Sequence, residues 1–378
     1  MTDRQPPFPV DRLTVRVYTV PTDHPEADGT LSWDATTLVL VEARSGGTAG
    51  LGWTYGAPAT AALVREPLAA AVLGRDALDT AGAYEAMRRA LRNAGRPGAG
   101  SYALSALDVA LWDLSARLLG LPLVRLLGGR SRPVAVYGSG GFTSYPDRLT
   151  ERQLRGWTDG QGIPRVKIKI GEARGTRPER DLERITAARR AIGPDTALYV
   201  DANGAFTAKQ AIRLADAFAE DGVTWFEEPV PSDDLPGLAA VRAAAAPDVA
   251  AGEYGDEPRY FAAMAPAVDC LQADATRCGG LTGFLRAAAV AEAAGVPLSA
   301  HCAPHVHAHA AAARPGVRHL EWFHDHVRVE SLLFDGVLDP AGGTVTPGAS
   351  GEPGHGLRLA ADRAAPHLVD NWSVRRPD

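Results

Sequence analysis

Cysteine is scarce: three residues (Cys270, Cys278 and Cys302) in a chain of 378. None sits in a C-x-x-C pair, and three cannot build a disulfide framework. Positive charge is short as well. A net charge of −6 and a pI near 5.9 leave no basic field to hold a polyanion, which excludes nucleic acid as a partner. Long apolar runs are missing. The longest are short or alanine-rich and fall well below a bilayer span, so no membrane partner is expected. The first residues, MTDRQPPFPVDR, are polar and broken by proline, unlike a secretory signal, and the expectation is a cytoplasmic protein. Methionine and lysine are also few. What remains is ordinary. Apolar residues make up 46% and charged residues 22%, enough for a packed interior. The length exceeds what one core usually fills, so two domains are expected.

The first hundred residues read as strands followed by helices. Residues 13–18 alternate, 36–42 are rich in β-formers, and 49–55 form a third short run. Between the first two lies PTDHPEADGTLSW (21–33), a polar segment with two prolines that reads as a loop. Then Leu104, Leu107, Leu111, Leu114 and Leu118 recur at three- and four-residue steps. They form one stripe of an amphipathic helix, with Ser101 as the expected N-cap and Gly120 as the stop.

From residue 133 the rhythm changes. Eight short apolar runs, at 133–139, 166–171, 197–204, 223–229, 249–253, 270–276, 296–302 and 318–322, alternate with helical patterns. The connection after the third run shows the period well, with Ala211, Leu214, Ala215 and Phe218 on one face and Gly222 as a stop. Strand and helix alternating eight times predict an α/β fold, a (β/α)8 barrel. The rival, a doubly wound sheet, needs a glycine-rich phosphate loop after an early strand. GSGG at 138–141 lacks the third glycine and the later acidic residue, so that rival is set aside.

The ends of these runs carry unexpected polar groups. They are Lys167 and Lys169, Asp201 and Asn203, Glu227 and Glu228, then Glu253, Asp274, His301 and Glu321. A strand buried on both faces should be apolar throughout, and each buried charge costs free energy unless paired. Any one of them reads as a satisfied ion pair; seven successive strands ending this way point to a site. Asp201, Glu227 and Glu253 are spaced 26 residues apart, close to one βα unit each, so three carboxylates converge at the barrel mouth. Hard oxygen ligands of this kind suit Mg²⁺ or Mn²⁺ rather than zinc. Glu228, next to Glu227, is expected to face away from the ligands.

Lys167 and Lys169 alternate along one strand, so both face the interior. Either mutual repulsion and burial keep Lys169 neutral and basic, or the pair is salt-bridged to the carboxylates. His301 follows Asp274 by 27 residues, so Asp274 can hold one imidazole nitrogen and leave the other to exchange a proton. His305, His307 and His309 fall in the next helix and read as structural. The cysteines read as buried fillers, with Cys302 beside the pocket.

The motifs KIK (167–169), DANGAF (201–206), FEEP (226–229), AGE (251–253), QADATRCGGLTG (272–283), SAH (299–301) and HLEW (319–322) resemble the mandelate racemase subgroup of the enolase superfamily. The segment ALSALDVALWDLSARLLGLPLVRLLGG (103–129) resembles that family's capping-domain helix and closing turn. The resemblance runs in order over nearly the whole chain. It implies a modified (β/α)8 (TIM-like) barrel of (β/α)7β type over 133–340. An N-terminal α+β capping domain would span 1–132, and a C-terminal segment, 341–378, would return to the cap. By the same resemblance Asp201, Glu227 and Glu253 match the Mg²⁺ ligands, and Lys169 and the His301–Asp274 dyad match the bases on opposite faces of the substrate. Glu321 matches the group that hydrogen-bonds the substrate carboxylate; Asn203, Lys167 and Arg277 match assisting residues. The 21–33 loop would act as a lid, with His24, Asp28 and Trp33 against the substrate. A homo-oligomer, dimer or octamer, is implied.

Such a site removes the proton α to a carboxylate of a small-molecule acid and stabilises the enediolate. Dehydration of an acid sugar (aldonate or aldarate) to a 2-keto-3-deoxy acid is the leading expectation. Racemisation or epimerisation of a 2-hydroxy acid comes next, then lactone cycloisomerisation. A non-catalytic, metal-stabilised binding protein is the reading from a different class, and the complete base and ligand set weighs against it.

Overall fold

The computed structural model describes residues 6–376. Arg12–Ala27 (β1), Ser32–Ser45 (β2) and Thr48–Tyr55 (β3) form an antiparallel sheet, and Leu368–Arg375 adds to the free edge of β1. The helix Ala99–Leu118 packs across this sheet. Two glycines of β3 permit the approach: a Cβ at Gly50 would stand 2.4 Å from Ala110 O, and one at Gly52 2.3 Å from Ala106 O. The helix begins earlier than expected. Gly98 is its N-cap, and Ser101 lies inside the first turn, donating from Oγ to Gly98 O at 3.0 Å. Gly120 ends it as read, with a φ of +66° and its N–H on Arg117 O at 3.1 Å.

Residues 21–33 are not a loop. β1 and β2 continue through them as a hairpin, with Glu26 opposite Trp33 and Ala27 opposite Ser32. The two prolines are tolerated because the register slips between Pro21 and Glu26, where no ladder bond is required. The turn itself is set by Asp28, whose Oδ1 accepts from Thr30 N at 2.6 Å and Leu31 N at 2.7 Å. Its tip is seated on the barrel. Thr143 N donates to Ala27 O at 2.8 Å, and a Cβ at Gly29 would lie 2.6 Å from Ala202 O. The cap thus reaches the barrel mouth by a fixed ribbon rather than a free loop.

The eight expected strands all form. Val134–Gly140 (β4), Arg165–Lys169 (β5), Ala197–Asp201 (β6), Val223–Glu227 (β7), Asp248–Ala251 (β8), Cys270–Ala273 (β9), Leu298–Ala300 (β10) and Val317–Phe323 (β11) run parallel, and β11 closes on β4. Tyr137, Tyr199, Trp225 and His319 pack edge-to-face and stacked inside the barrel, filling its lower interior. The polar groups are therefore confined above this plug. Behind the barrel, His355 N donates to Asp113 Oδ1 at 2.8 Å and Arg117 Nη2 to Leu357 O at 2.8 Å, tying the C-terminal stretch to the cap helix. Among the described residues no helix is long and apolar enough to cross a membrane.

Candidate active site

Strand register assembles the first half of the site. Lys169 on β5 lies opposite Asp201 on β6, which lies opposite Glu227 on β7. Val166 and Ile168 point outward into the apolar layer beneath the helices, so the intervening lysines must point inward. Lys167, with no exposed surface, contacts Glu227 Oε1 at 2.5 Å, Glu321 Oε1 at 2.8 Å and Asp201 Oδ2 at 3.6 Å. Lys169 Nζ donates to Asp201 Oδ2 at 2.5 Å.

These contacts decide between the two readings of the lysines. Burial, the largest single influence, and repulsion from Lys167 pull the Lys169 pKa down, but Asp201, with Glu321 and Glu227 behind it, together hold the ammonium above its ordinary value. Lys167 is held up in the same way, burial being overcome by Glu227 and Glu321. The expectation of a neutral Lys169 beside these carboxylates is therefore corrected: the pair is salt-bridged.

The second half comes from β9 to β11. His301 Nδ1 pairs with Asp274 Oδ2 at 2.8 Å, while Asp274 Oδ1 accepts from Thr276 N and Thr276 Oγ1, both at 2.7 Å. The aspartate is fixed, and it fixes the ring. Burial, the largest single influence, and then Arg277 lower the His301 pKa, yet Glu253, the Asp274 hydrogen bond and Glu321 together raise it above the ordinary imidazole value. Asp274 is held well below the carboxylate range: burial, the largest single influence, pushes it up, and the hydrogen bond and charge of His301, with Arg277 and His307, together outweigh that.

Glu321 Oε1 accepts from Ser139 Oγ at 2.6 Å, and its Oε2 from Cys302 N at 2.9 Å. Cys302 adopts a φ of +51°, the turn that aims its amide at the carboxylate. Burial would raise the Glu321 pKa, but Lys167 and then His301 hold it well below its ordinary value, so in this arrangement it accepts and does not donate.

The candidate metal ligands stand on successive strand ends but are drawn toward separate cations. Asp201 goes to Lys169, Glu227 to Lys167, and Glu253 Oε1 to Arg277 Nη1 at 2.9 Å. Glu253 Oε2 is 3.3 Å from His301 Nε2 yet is not aligned for a hydrogen bond and has no partner; the same holds for the buried Glu228 Oε1 and Asn203 Oδ1. Glu228 does not turn away as expected. A φ of +38° brings it back, and burial, with Glu253 and then Asp201 adding repulsion, raises its pKa well above the carboxylate value. A cluster of oxygen acceptors, crowded with negative charge and partly unsatisfied, fits a hard divalent cation.

Over these groups lies a cavity of about 390 Å³, the size of a small-ligand site. Lys169, Asn203, Glu253, Arg277, His301 and Cys302 line its barrel side; on its cap side Asp28, Trp33, Thr36, Thr37 and Tyr55 of the cap are joined by Asp325 and His326 from the barrel helix that follows β11. Trp33 is thus where it was expected. His24 is not: the strand it lies on turns it outward, exposed and edge-on to Tyr145 at 5.9 Å. Sequence reading passed over Ser139, Tyr254, Asp325 and His326. The first was findable, since Ser139 shares the inward period of Tyr137 on β4. The rest enter through tertiary packing, as when His326 stacks on Tyr55 with ring centroids 3.4 Å apart. His305, His307 and His309 are buried and engaged with Glu330, with Ala275 N and with Val124 N, in keeping with structural roles.

One group beside the cavity titrates near neutrality. Glu26 accepts from Trp33 Nε1 at 2.9 Å, and its pKa is pushed up to about 8 by burial first and then by Asp325. A carboxyl whose folded pKa exceeds its unfolded value stabilises the fold while protonated, and that contribution fades as pH rises from about 4.5 to about 8. Glu26→Gln should therefore raise the thermal midpoint at about pH 9 by the equivalent of roughly 1–2 kcal/mol and leave it unchanged at about pH 5. Melting curves at the two pH values check this; an equal shift at both would refute it.

Residues 150–363 match the enolase C-terminal domain-like family, and residues 12–128 match the mandelate racemase / muconate lactonizing enzyme N-terminal domain. The chain is 36% identical over 285 residues to the D-galactarolactone cycloisomerase of Agrobacterium fabrum, covering 74% of each chain. It is 33% identical over 311 residues to the L-talarate/galactarate dehydratase of Salmonella typhimurium, covering 79% of this chain and 77% of that one. The solved structure of that dehydratase with Mg and L-lyxarohydroxamate superimposes with a TM-score of 0.88 at 28% identity, over 98% of this chain and 95% of that one. A mandelate racemase/muconate lactonizing enzyme-like protein from Rubrobacter xylanophilus gives a TM-score of 0.92 at 52% identity, over 96% of this chain and 100% of that one.

Proposed function

Because the chain belongs to the mandelate racemase/muconate lactonizing enzyme family of the enolase superfamily, we propose that it dehydrates an acid sugar to a 2-keto-3-deoxy acid, using Mg²⁺ held by Asp201, Glu227 and Glu253. The observation that carries this reading is the opposition of Lys169 on β5 to the Asp274-oriented His301 beyond β10, across one cavity. Bound there, Mg²⁺ supplies Lewis-acid stabilisation of charge developing on a substrate carboxylate.

The chain's residues do the rest. Shared with a cation, Asp201 would no longer hold Lys169 protonated, and Lys169 would take the α-proton. His301 donates from Nε2 to the departing β-hydroxyl, its ring held by Asp274. A substrate carboxylate arriving beside Glu321 raises that group's affinity for a proton, turning it from acceptor to donor toward the developing enediolate. Lys167 stays charged beneath it.

The cap side of the cavity favours a polyol and bears on its length. Thr36, Thr37 and Asp325 offer polar partners for hydroxyls. Among the described residues no lysine or arginine lines that side; Arg328 is spent on Asp325 at 2.6 Å. A second carboxylate would find no unpaired cation there, so the substrate we propose is an aldonate rather than an aldarate. Cycloisomerisation is the second reading, favoured by the Agrobacterium relative, since the same proton transfers open a lactone when an acyloxy group leaves. A cytoplasmic homo-oligomer, with the cap spanning about 1–132 and recruiting the stretch after about 340, belongs to the same proposal. The strand Leu368–Arg375 beside β1 supports that division.

A screen of aldonates, aldarates and aldonolactones with Mg²⁺ in D₂O, following keto-acid formation and α-deuterium exchange together, tests it. Keto acid from an aldonate is the expected outcome. Exchange without elimination from every acid would replace dehydration by racemisation or epimerisation.

A further inference from the structure

His301 Nε2, Cys302 Sγ and Glu321 Oε2 stand close together at the edge of the cavity, a donor set distinct from Asp201, Glu227 and Glu253, although Glu253 Oε2 lies 3.3 Å from Nε2. Nε2 to Sγ is 3.2 Å, Sγ to Oε2 is 3.4 Å and Nε2 to Oε2 is 3.8 Å. They are the one trio of metal-ligating side chains that close among the described residues. With bonds of about 2.0–2.3 Å and tetrahedral angles, zinc spaces such N, S and O donors roughly 3.4–3.6 Å apart, so shifts of a few tenths of an ångström suffice.

We propose that this trio is a second metal site, selective for a thiophilic divalent cation such as Zn²⁺, and that its occupation switches the enzyme off. Three features beyond the distances support it. Asp274 on Nδ1 fixes the tautomer that leaves the Nε2 lone pair toward Cys302, the carboxylate–histidine pairing that zinc sites use to orient a ligand. Glu321 Oε1 is taken by Lys167 and Ser139, which leaves Oε2 on the trio's side. His301 and Cys302 both line the cavity, so an ion has an entry path and a fourth position open to water. Mg²⁺ does not compete, because a hard cation disfavours sulfur and imidazole. Binding is a proton exchange: Cys302–SH and M²⁺ give Cys302–S–M⁺ and H⁺, with no change of oxidation state. The binding rests on this geometry alone; only its effect on turnover rests on the proposed role of His301.

Co²⁺ titrated into Mg²⁺-saturated enzyme reports the site by a thiolate-to-cobalt charge-transfer band, which an oxygen-only site cannot give. One equivalent should develop the band, Cys302→Ser should abolish it, and Cys278→Ser should leave it intact. Should Cys302→Ser fail to fold, His301→Asn must weaken cobalt binding by more than the ~10–100-fold that loss of an outer partner costs. Zn²⁺ should displace the cobalt and lower turnover more than about tenfold, unrelieved by excess Mg²⁺. Absence of the band, its survival in Cys302→Ser, or relief of inhibition by Mg²⁺ would overturn the proposal. A band in a protein that turns over no sugar acid would leave the site standing and count against the proposed reaction instead.

Discussion

Asp201→Asn is expected to lower turnover about 10³-fold or more, roughly 4 kcal/mol of barrier, with the fold intact. The size follows from the residue's two hydrogen bonds. Oδ2 meets Lys169 at 2.5 Å, and Oδ1 accepts from Asn203 N at 2.9 Å. Asparagine keeps the shape and one acceptor, so the turn after β6 survives. It removes the negative charge that, on the proposed reading, would bind the cation, and that helps hold the Lys169 ammonium. Kinetics at saturating Mg²⁺, with circular dichroism as the control for folding, decide the matter. Activity within tenfold of the parent would remove Asp201 from the ligand set.

The second large effect separates the two halves of the site. His301→Asn should cut keto-acid formation by about 10²–10⁴-fold, the usual worth of a general acid, while α-deuterium exchange continues. Lys169→Met should eliminate both signals. The split is expected because each group has its own leading partner, Asp201 for Lys169 and Glu253 with Asp274 for His301, and the two meet only through the shared Glu321. Loss of exchange in His301→Asn, with exchange kept in Lys169→Met, would reverse the assignment of acid and base.

Much of this architecture is legible in the sequence because barrel strands have a strict period. Inward positions should be apolar, so Lys167, Lys169, Asp201 and Glu227 stand out as violations, and strand register then converts them into neighbours. The eight strands are found for the same reason. What escapes is set by contacts distant in sequence. Two prolines and a polar composition read as a loop, yet residues 21–33 form a ribbon because the tip is anchored to Thr143 and fitted against Ala202. His24 is misplaced with it, since a slipped register decides which way a side chain turns. The charge state of Lys169 is the subtler miss. Sequence spacing shows two cations close together, but only the structure shows that carboxylates outnumber them.

Scarcity of lysine gives the buried pair a practical meaning. The chain has three lysines, and two of them, Lys167 and Lys169, are enclosed in the barrel while Lys209 is exposed on the helix Ala208–Ala217. An amine-reactive dye therefore finds Lys209, besides any terminal amine, and labels the protein at a nearly defined point without blocking the cavity. Conversely, slow inactivation by such a reagent measures how often the barrel mouth opens far enough to admit it. The enzyme carries its own chemical clock for breathing at the active site.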